Sequence, residues 1–308
     1  MSTMPTATDE TMRQTQPELR RPRRRQRQGV VARDTPRSRI LKSALLLVIF
    51  LWCLIPFVWL IFTSFKQGTG ALNNPSPFVG PFSLDNYRAV FAANFAYNLR
   101  NSAIVAGITT VTCVVLGSLA AYALARLALP RKALLLTAVL AVSLFPPVAL
   151  VPPLYELWRN VGLLNTYPGL FIPYIAFNLP LTIFILTTFF ASIPPEMEEA
   201  ARVDGASPFQ AFYRVVLPLA APGVFAAAIL IFVYAWNEFL LASTFAPRSL
   251  VAQTVPVAIA SFTGAVQFQR PIGSITAACV IVTVPMIFLV LAFQRRIVAG
   301  LTAGGVKG

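Results

Sequence analysis

Four of this chain's eleven carboxylates, Glu196, Glu198, Glu199 and Asp204, fall within nine residues of a sequence that is 56% hydrophobic and 12% charged. Acid gathered so tightly either does chemistry or meets a charged partner, and the other reactive residue types decide between the two. The 308 residues include no histidine, which removes a serine–histidine pair for hydrolysis. The four aspartates, Asp9, Asp34, Asp85 and Asp204, lie outside every long apolar stretch, which removes an intramembrane aspartyl dyad. Cys53, Cys113 and Cys279 sit one to an apolar run, so they offer neither a disulfide framework nor a zinc site and read as small packing residues. The dipeptide Gly-Lys is absent, and with it any phosphate-cradling loop of the G-x-x-x-x-G-K-S/T type. Neither catalysis nor a bound cofactor is expected of this chain. Passing a solute is the broad class that remains.

The elements that must hold these residues are membrane helices. One core could not bury so much apolar surface in a soluble domain of this size. Ala44 to Phe62 is an uninterrupted apolar run of 19 residues, too long and too far from the N-terminus for a signal peptide, and is expected to be a retained anchor. Charge-free stretches follow at about 101–125, 133–154, 167–191, 215–237 and 271–293. Since about 20 helical residues cross a hydrocarbon core, the fold class is an all-α membrane protein with six transmembrane helices. Pro56, Pro146, Pro147, Pro173, Pro180, Pro222 and Pro285 interrupt them. Such breaks survive in lipid only where protein or a water-filled cavity satisfies the freed carbonyls, as in a bundle with a pathway. Gly107, Gly117, Ser118 and Ala121 line one side of the second helix, where Gly117 and Ala121 have the spacing of close helix packing.

The basic residues set the orientation. With the N-terminus inside, nineteen of the twenty-five fall on the cytosolic side, and Lys66, Arg88, Arg100, Arg159, Arg248 and Arg270 are left outside. Both termini are therefore expected in the cytosol. Residues 1–39 are expected to be a disordered Arg-rich tail beside anionic lipid, because nine arginines between Arg20 and Arg39 directly precede the first apolar run. That placement makes membrane lipid the partner of the +14 net charge and argues against nucleic acid. The expected boundaries are a first membrane helix at 40–63, an outer loop at 64–100, a core at 101–293 and a cytosolic tail at 294–308.

Two stretches draw attention within this plan. Glu238, in "AWNEFLL" near the outer end of the fifth helix, is the one carboxylate that could serve an ion-coupled carrier. It is either held at the headgroup level or by a neighbouring helix, or it faces the solute with Asn237. The second stretch is residues 192–218, which the orientation puts in the cytosol. Ser192 with Pro194 and Pro195 starts a helix, and Glu196, Glu198 and Glu199 lie in its first turns, where the helix dipole favours acid. Gly205 can take the positive φ that ends it, and Ser207 then caps a second helix with Pro208 at its first position. Ala200, Ala201 and Val203 leave a smooth surface to which Phe209, Phe212 and Tyr213 add aromatic anchors. Acid-rich segments bind the inner leaflet poorly, so a groove on a basic soluble protein fits better.

"EAARVDGASPFQAFYRVVLP" resembles the EAA loop of bacterial ABC-importer permeases: Glu199, Ala200, Ala201, Gly205, then Val215 where isoleucine is commoner, Leu217 and Pro218. The resemblance extends over residues 40–308. "AWNEFLLA" and "QRRIVAGLTAGGVKG" are similar to the carbohydrate-uptake branch, in particular to maltose and trehalose permeases. It implies a type I importer permease fold in the bacterial inner membrane and uptake of an α-glucoside disaccharide such as trehalose or maltose. It also implies a sister permease, a dimer of ATP-binding subunits that hold ATP and Mg, and an outer sugar-binding protein. Glu199, Ala200, Ala201, Asp204, Gly205, Phe209, Leu217 and Pro218 would couple to the ATP-binding subunit, and the tail with Gly300, Gly304 and Gly305 would reach between its two copies. Thr263, Gly264, Gln267 and Gln269 would touch the binding protein. Tyr174, Asn178, Trp236, Asn237 and Glu238, aromatics with polar neighbours, suit sugar recognition. Other oligosaccharides, glycerol phosphate, an ion-driven carrier and a structural anchor are the rival readings. The lack of Arg and Lys in the helix centres argues against a phosphate.

Overall fold

The computed structural model describes residues 36–67, 76, 78–262 and 271–305. Contacts divide the chain into two units, residues 1–53 and 54–308. In the first, helix α1 (Pro36–Ser64) begins, and its apolar side chains from Ile40 to Trp52 are all exposed, as lipid allows and water does not. The helix starts at Pro36, so residues 36–39 are helical where a disordered tail was expected; the rest of that tail lies outside the described residues.

In the second unit, α1 ends against a short, partly buried segment. Asn86 Nδ2 donates to the carbonyls of Ser64 and Lys66 at 2.9 and 2.7 Å, and the Ser64 and Tyr87 hydroxyls are 2.7 Å apart. Asn86 and Tyr87 belong to α2 (Asp85–Ala92), a helix within the stretch expected to be an outer loop.

Helix α3 (Phe95–Arg126) is central. It packs along α6 (Tyr167–Ser192) and α9 (Ala221–Asn237), which also pack on each other. Gly117 makes the α3–α6 approach: a Cβ there would stand 2.6 Å from Thr182 Cγ2, as the small-residue spacing predicts. Gly107, on the same expected stripe, faces open space instead. The last long helix, α12 (Ile272–Gly305), packs on α9 and α2. It runs through Gly305, so the stretch expected to be a tail continues the membrane helix.

Two of the expected spans are bent. The 133–154 stretch folds as α4 (Lys132–Ser143) and α5 (Pro147–Val161), 77° apart. Pro146 is extended, as a residue before proline must be, and Pro147 has no N–H to continue the helix. The 12 residues of α4 reach about 18 Å, short of a hydrocarbon core of about 30 Å. The second break, also 77°, falls at Ala220 between α8 (Pro208–Leu219) and α9, just before Pro222. Among the described residues four helices are long and apolar enough to cross a membrane unaided, or up to six if each bent pair is one span. Among the described residues the remaining elements are the short helices α7 (Pro195–Val203), α10 (Leu240–Phe245) and α11 (Val255–Ala260).

Candidate coupling site

The acid-rich stretch folds as a helix, a tight turn and a second helix. Ser192 does not start α7; it closes α6, and its hydroxyl donates to the Phe189 carbonyl at 2.7 Å. Ile193 and Pro194 are extended, and α7 begins at Pro195 with Glu196 and Glu198 in its first turn. Its end is the one expected. Gly205 sits at φ +88°, Gly205 N donates to Arg202 O at 3.0 Å, and Ala206 N donates to Ala201 O at 3.0 Å. This pair of bonds satisfies the last carbonyls of α7 through a left-handed residue. Ser207 then caps α8: its hydroxyl accepts from Gln210 N at 3.3 Å, and Gln210 Oε1 accepts from Ser207 N at 2.8 Å. Sequence reasoning found the cap and missed the reciprocal glutamine.

These elements sort the side chains onto two faces. Glu199, Ala200, Asp204, Gly205 and Pro218 are exposed, Ala201 and Leu217 are half-buried, and Val203 and Phe209 project with 88% and 63% of their surface open. Tyr213 is exposed beside Phe209, with ring centroids 5.7 Å apart. Phe212, expected as a third outward anchor, points inward. The α8 helix widens into a π-turn over Phe212–Val216, and the Phe212 ring packs on Tyr122 at 4.7 Å and Phe190 at 6.0 Å.

Glu198 also points inward, only 5% exposed. Its Oε1 accepts from Tyr122 Oη at 2.6 Å and from Arg202 Nη2 at 2.6 Å, and its Oε2 accepts from Arg126 Nε at 3.1 Å. Arg126 Nη2 donates to the Ile193 carbonyl at 2.9 Å. The Tyr122 hydroxyl first and the Glu198 charge second push the Arg202 guanidinium up from its ordinary value, so it stays a cation. Sequence reasoning grouped Glu198 with its exposed neighbours. The signal that separates it is Arg202 four residues on, on the same helix face.

At the opposite end of α3 and α6, the Tyr174 hydroxyl donates to Glu238 Oε2 at 2.5 Å, and Glu238 also accepts from Leu241 N at 2.8 Å and Ala242 N at 3.0 Å. The carboxylate thus closes the N-terminus of α10, where a helix favours an anion. Trp236 is buried and stacks on Phe232 at 5.6 Å, and Asn178 donates to its own helix at the Tyr174 carbonyl at 2.7 Å. Asn237 is exposed and bonds back to Val233 O at 2.8 Å, so it does not join Glu238. A network that sequence reasoning missed lies nearby. Asn98 and Asn101 each donate to the Gln253 carbonyl, at 3.1 and 3.0 Å, and Tyr167 donates to Asn101 Oδ1 at 2.7 Å, which ties the 247–255 segment to α3 and α6. Thr263, Gly264, Gln267 and Gln269 lie outside the described residues. Gly300, Gly304 and Gly305 lie on the last turns of α12.

A proline-bent set of helices with four to six candidate spans is the form of a multi-pass membrane component. The chain belongs to the family of binding-protein-dependent transport system inner membrane components, whose profile matches residues 113–302. It is 49% identical over 258 residues, 83% of this chain and 93% of the relative, to the trehalose transport system permease protein SugB of Mycobacterium tuberculosis. It is 41% identical over 280 residues, 88% of this chain and 99% of the relative, to the trehalose/maltose transport system permease protein MalG of Thermococcus litoralis. A chain of a bacterial ABC transporter involved in import of the acidic polysaccharide alginate shares the fold, with a TM-score of 0.69 over 85% of this chain and 98% of that one at 23% identity. The chain is an ABC importer permease subunit, a transport component and not an enzyme.

Proposed function

We propose that this chain is one of two permease subunits of an ATP-driven importer for an α-glucoside disaccharide such as trehalose or maltose. The observation that carries the reading is the 192–218 segment. Its turn and cap leave Glu199, Val203 and Phe209 exposed, at a place where the sequence resembles the EAA loop, in a chain 49% identical to a trehalose permease. Glu199 meets a basic residue in a cleft of an ATP-binding subunit, and Phe209 and Val203 fill the apolar part of that cleft. ATP and Mg are held by the partner, not by this chain. Both termini and the coupling loop face the cytosol, where the basic loops are expected. Closure of two ATP-binding subunits draws the coupling loops of this chain and its sister permease together and opens the pathway outward, to a sugar-loaded binding protein. Tyr174 and Trp236 are buried, so with Glu238 they shape the wall beside the pathway and do not offer ring faces to the sugar.

The test is ATP hydrolysis by the co-expressed complex in lipid, with its binding protein, against a panel of neutral disaccharides. Stimulation by trehalose or maltose is the expected result. A complex that assembles yet responds to no α-glucoside would overturn the substrate.

A further inference from the structure

We propose that Glu198 is a positioning residue that carries movement of the coupling helix α7 into α3, a role separate from docking that rests on the importer reading above. Glu198 and Glu199 are adjacent, so about 100° of helix rotation separates them, and the two carboxylates do different things. Glu199 is exposed, whereas Glu198 is turned into the bundle.

The geometry at Glu198 is a grip. Tyr122 and Arg126 are one turn apart on the last turns of α3, and both donate to the same carboxylate, at 2.6 and 3.1 Å. One side chain of α7 thus holds α3 at two heights. Arg126 also holds Ile193 O at 2.9 Å, where α6 has just ended, so α6 is tied to the same point. Arg202 closes the set from α7 itself at 2.6 Å. Glu198 is buried and Arg126 nearly so, so parting them leaves two charges poorly paired where water is scarce, and this ties the ends of α3, α6 and α7 together; Arg202 is half exposed and adds less. The surrounding contacts differ in kind. Tyr122, Phe190 and Phe212 meet as tilted and edge-on rings with centroids 4.7 to 6.5 Å apart. Each dispersion contact is individually weak and less directional than a charged hydrogen bond. Since α3 packs along both α6 and α9, a displacement delivered at Arg126 enters the centre of the bundle.

The experiment uses the complete complex in proteoliposomes with its binding protein, and the readout is sugar taken up per ATP hydrolysed. The variants are Glu198→Gln, Arg126→Gln, the double variant and Tyr122→Phe, each compared at equal amounts of assembled complex. The two charge variants should lower uptake per ATP about fivefold or more, the low end of an ordinary coupling energy. The double variant should be no worse than the poorer single one, because the residues act as a unit. Tyr122→Phe deletes one oxygen and keeps the ring, so it decides the matter if the charge variants do not assemble, and it should measurably lower the same ratio. A purely structural role would lower both rates together and leave uptake per ATP unchanged in every assembled variant; that result overturns the proposal. A wild-type complex without sugar-stimulated hydrolysis sinks the importer reading instead, which keeps the two failures apart.

Discussion

Gly205 holds φ at +88° with nothing within 4 Å of where a Cβ would stand. A side chain there meets only its own backbone. Gly205→Val should therefore cost about 1–3 kcal/mol of local stability at the turn and impair sugar uptake, while Gly205→Asn, which tolerates the left-handed region, should retain more of it. Uptake equal to wild type in Gly205→Val would mean that the turn does not need that conformation. On the exposed face, Glu199→Lys reverses a charge at the proposed contact and should weaken co-purification with the ATP-binding subunit without lowering the thermal stability of the isolated chain. Glu198→Ala should do the opposite. It strips the partner from Arg126 and should destabilise the isolated chain by about 3–5 kcal/mol, as breaking a buried pair does, read as a lower unfolding midpoint in detergent. The turn at Gly205 and the cap at Ser207 were legible in the sequence because their chemistry is local. The division between Glu198 and Glu199 was not, because it depends on Tyr122 and Arg126, more than seventy residues away in the chain.

Among the elements, spans followed from apolar length and their shapes did not. A run such as 133–154 is long enough to cross, yet Pro146 and Pro147 split it into two helices at 77° because neither residue continues a helical hydrogen-bond ladder. The prolines were visible, but whether a proline kinks a helix, as Pro56 and Pro285 are carried within α1 and α12, or breaks it depends on what satisfies the freed carbonyls. The Glu238 break between α9 and α10 shows the compensation: the carboxylate takes the Leu241 and Ala242 N–H groups that no helix carbonyl reaches. Likewise Gly117 was readable as a contact residue from its spacing, but its partner Thr182 was not. The outer loop, read as a connection, contains a helix whose Asn86 holds the end of α1, a pairing that no local pattern announces.

For the whole molecule, the exposed apolar side chains of α1 and the bent pairs require lipid, and lipid requires a direction. Direction follows from charge. The segments after α3 and from α7 through α8 carry Arg126, Arg131, Lys132, Arg202 and Arg214, and the positive-inside rule leads one to expect them in the cytosol. The last turn of α5 and the loop after α10 carry one basic residue each, Arg159 and Arg248. Translocating the first set would move more positive charge away from the anionic leaflet than translocating the second. The coupling loop can serve an ATP-binding subunit only on the cytosolic side, so the sidedness set by charge and the sidedness required for docking must coincide. They are separable by thiol accessibility in a background where Cys53, Cys113 and Cys279 are serine. Ala128→Cys, in the exposed turn after α3, should react with a membrane-impermeant maleimide only after spheroplasts are opened, and Leu250→Cys, in the exposed segment after α10, should react in intact spheroplasts. The reverse pattern would place the EAA-like loop outside, away from ATP, and would remove the coupling role of Glu199 and Glu198 together.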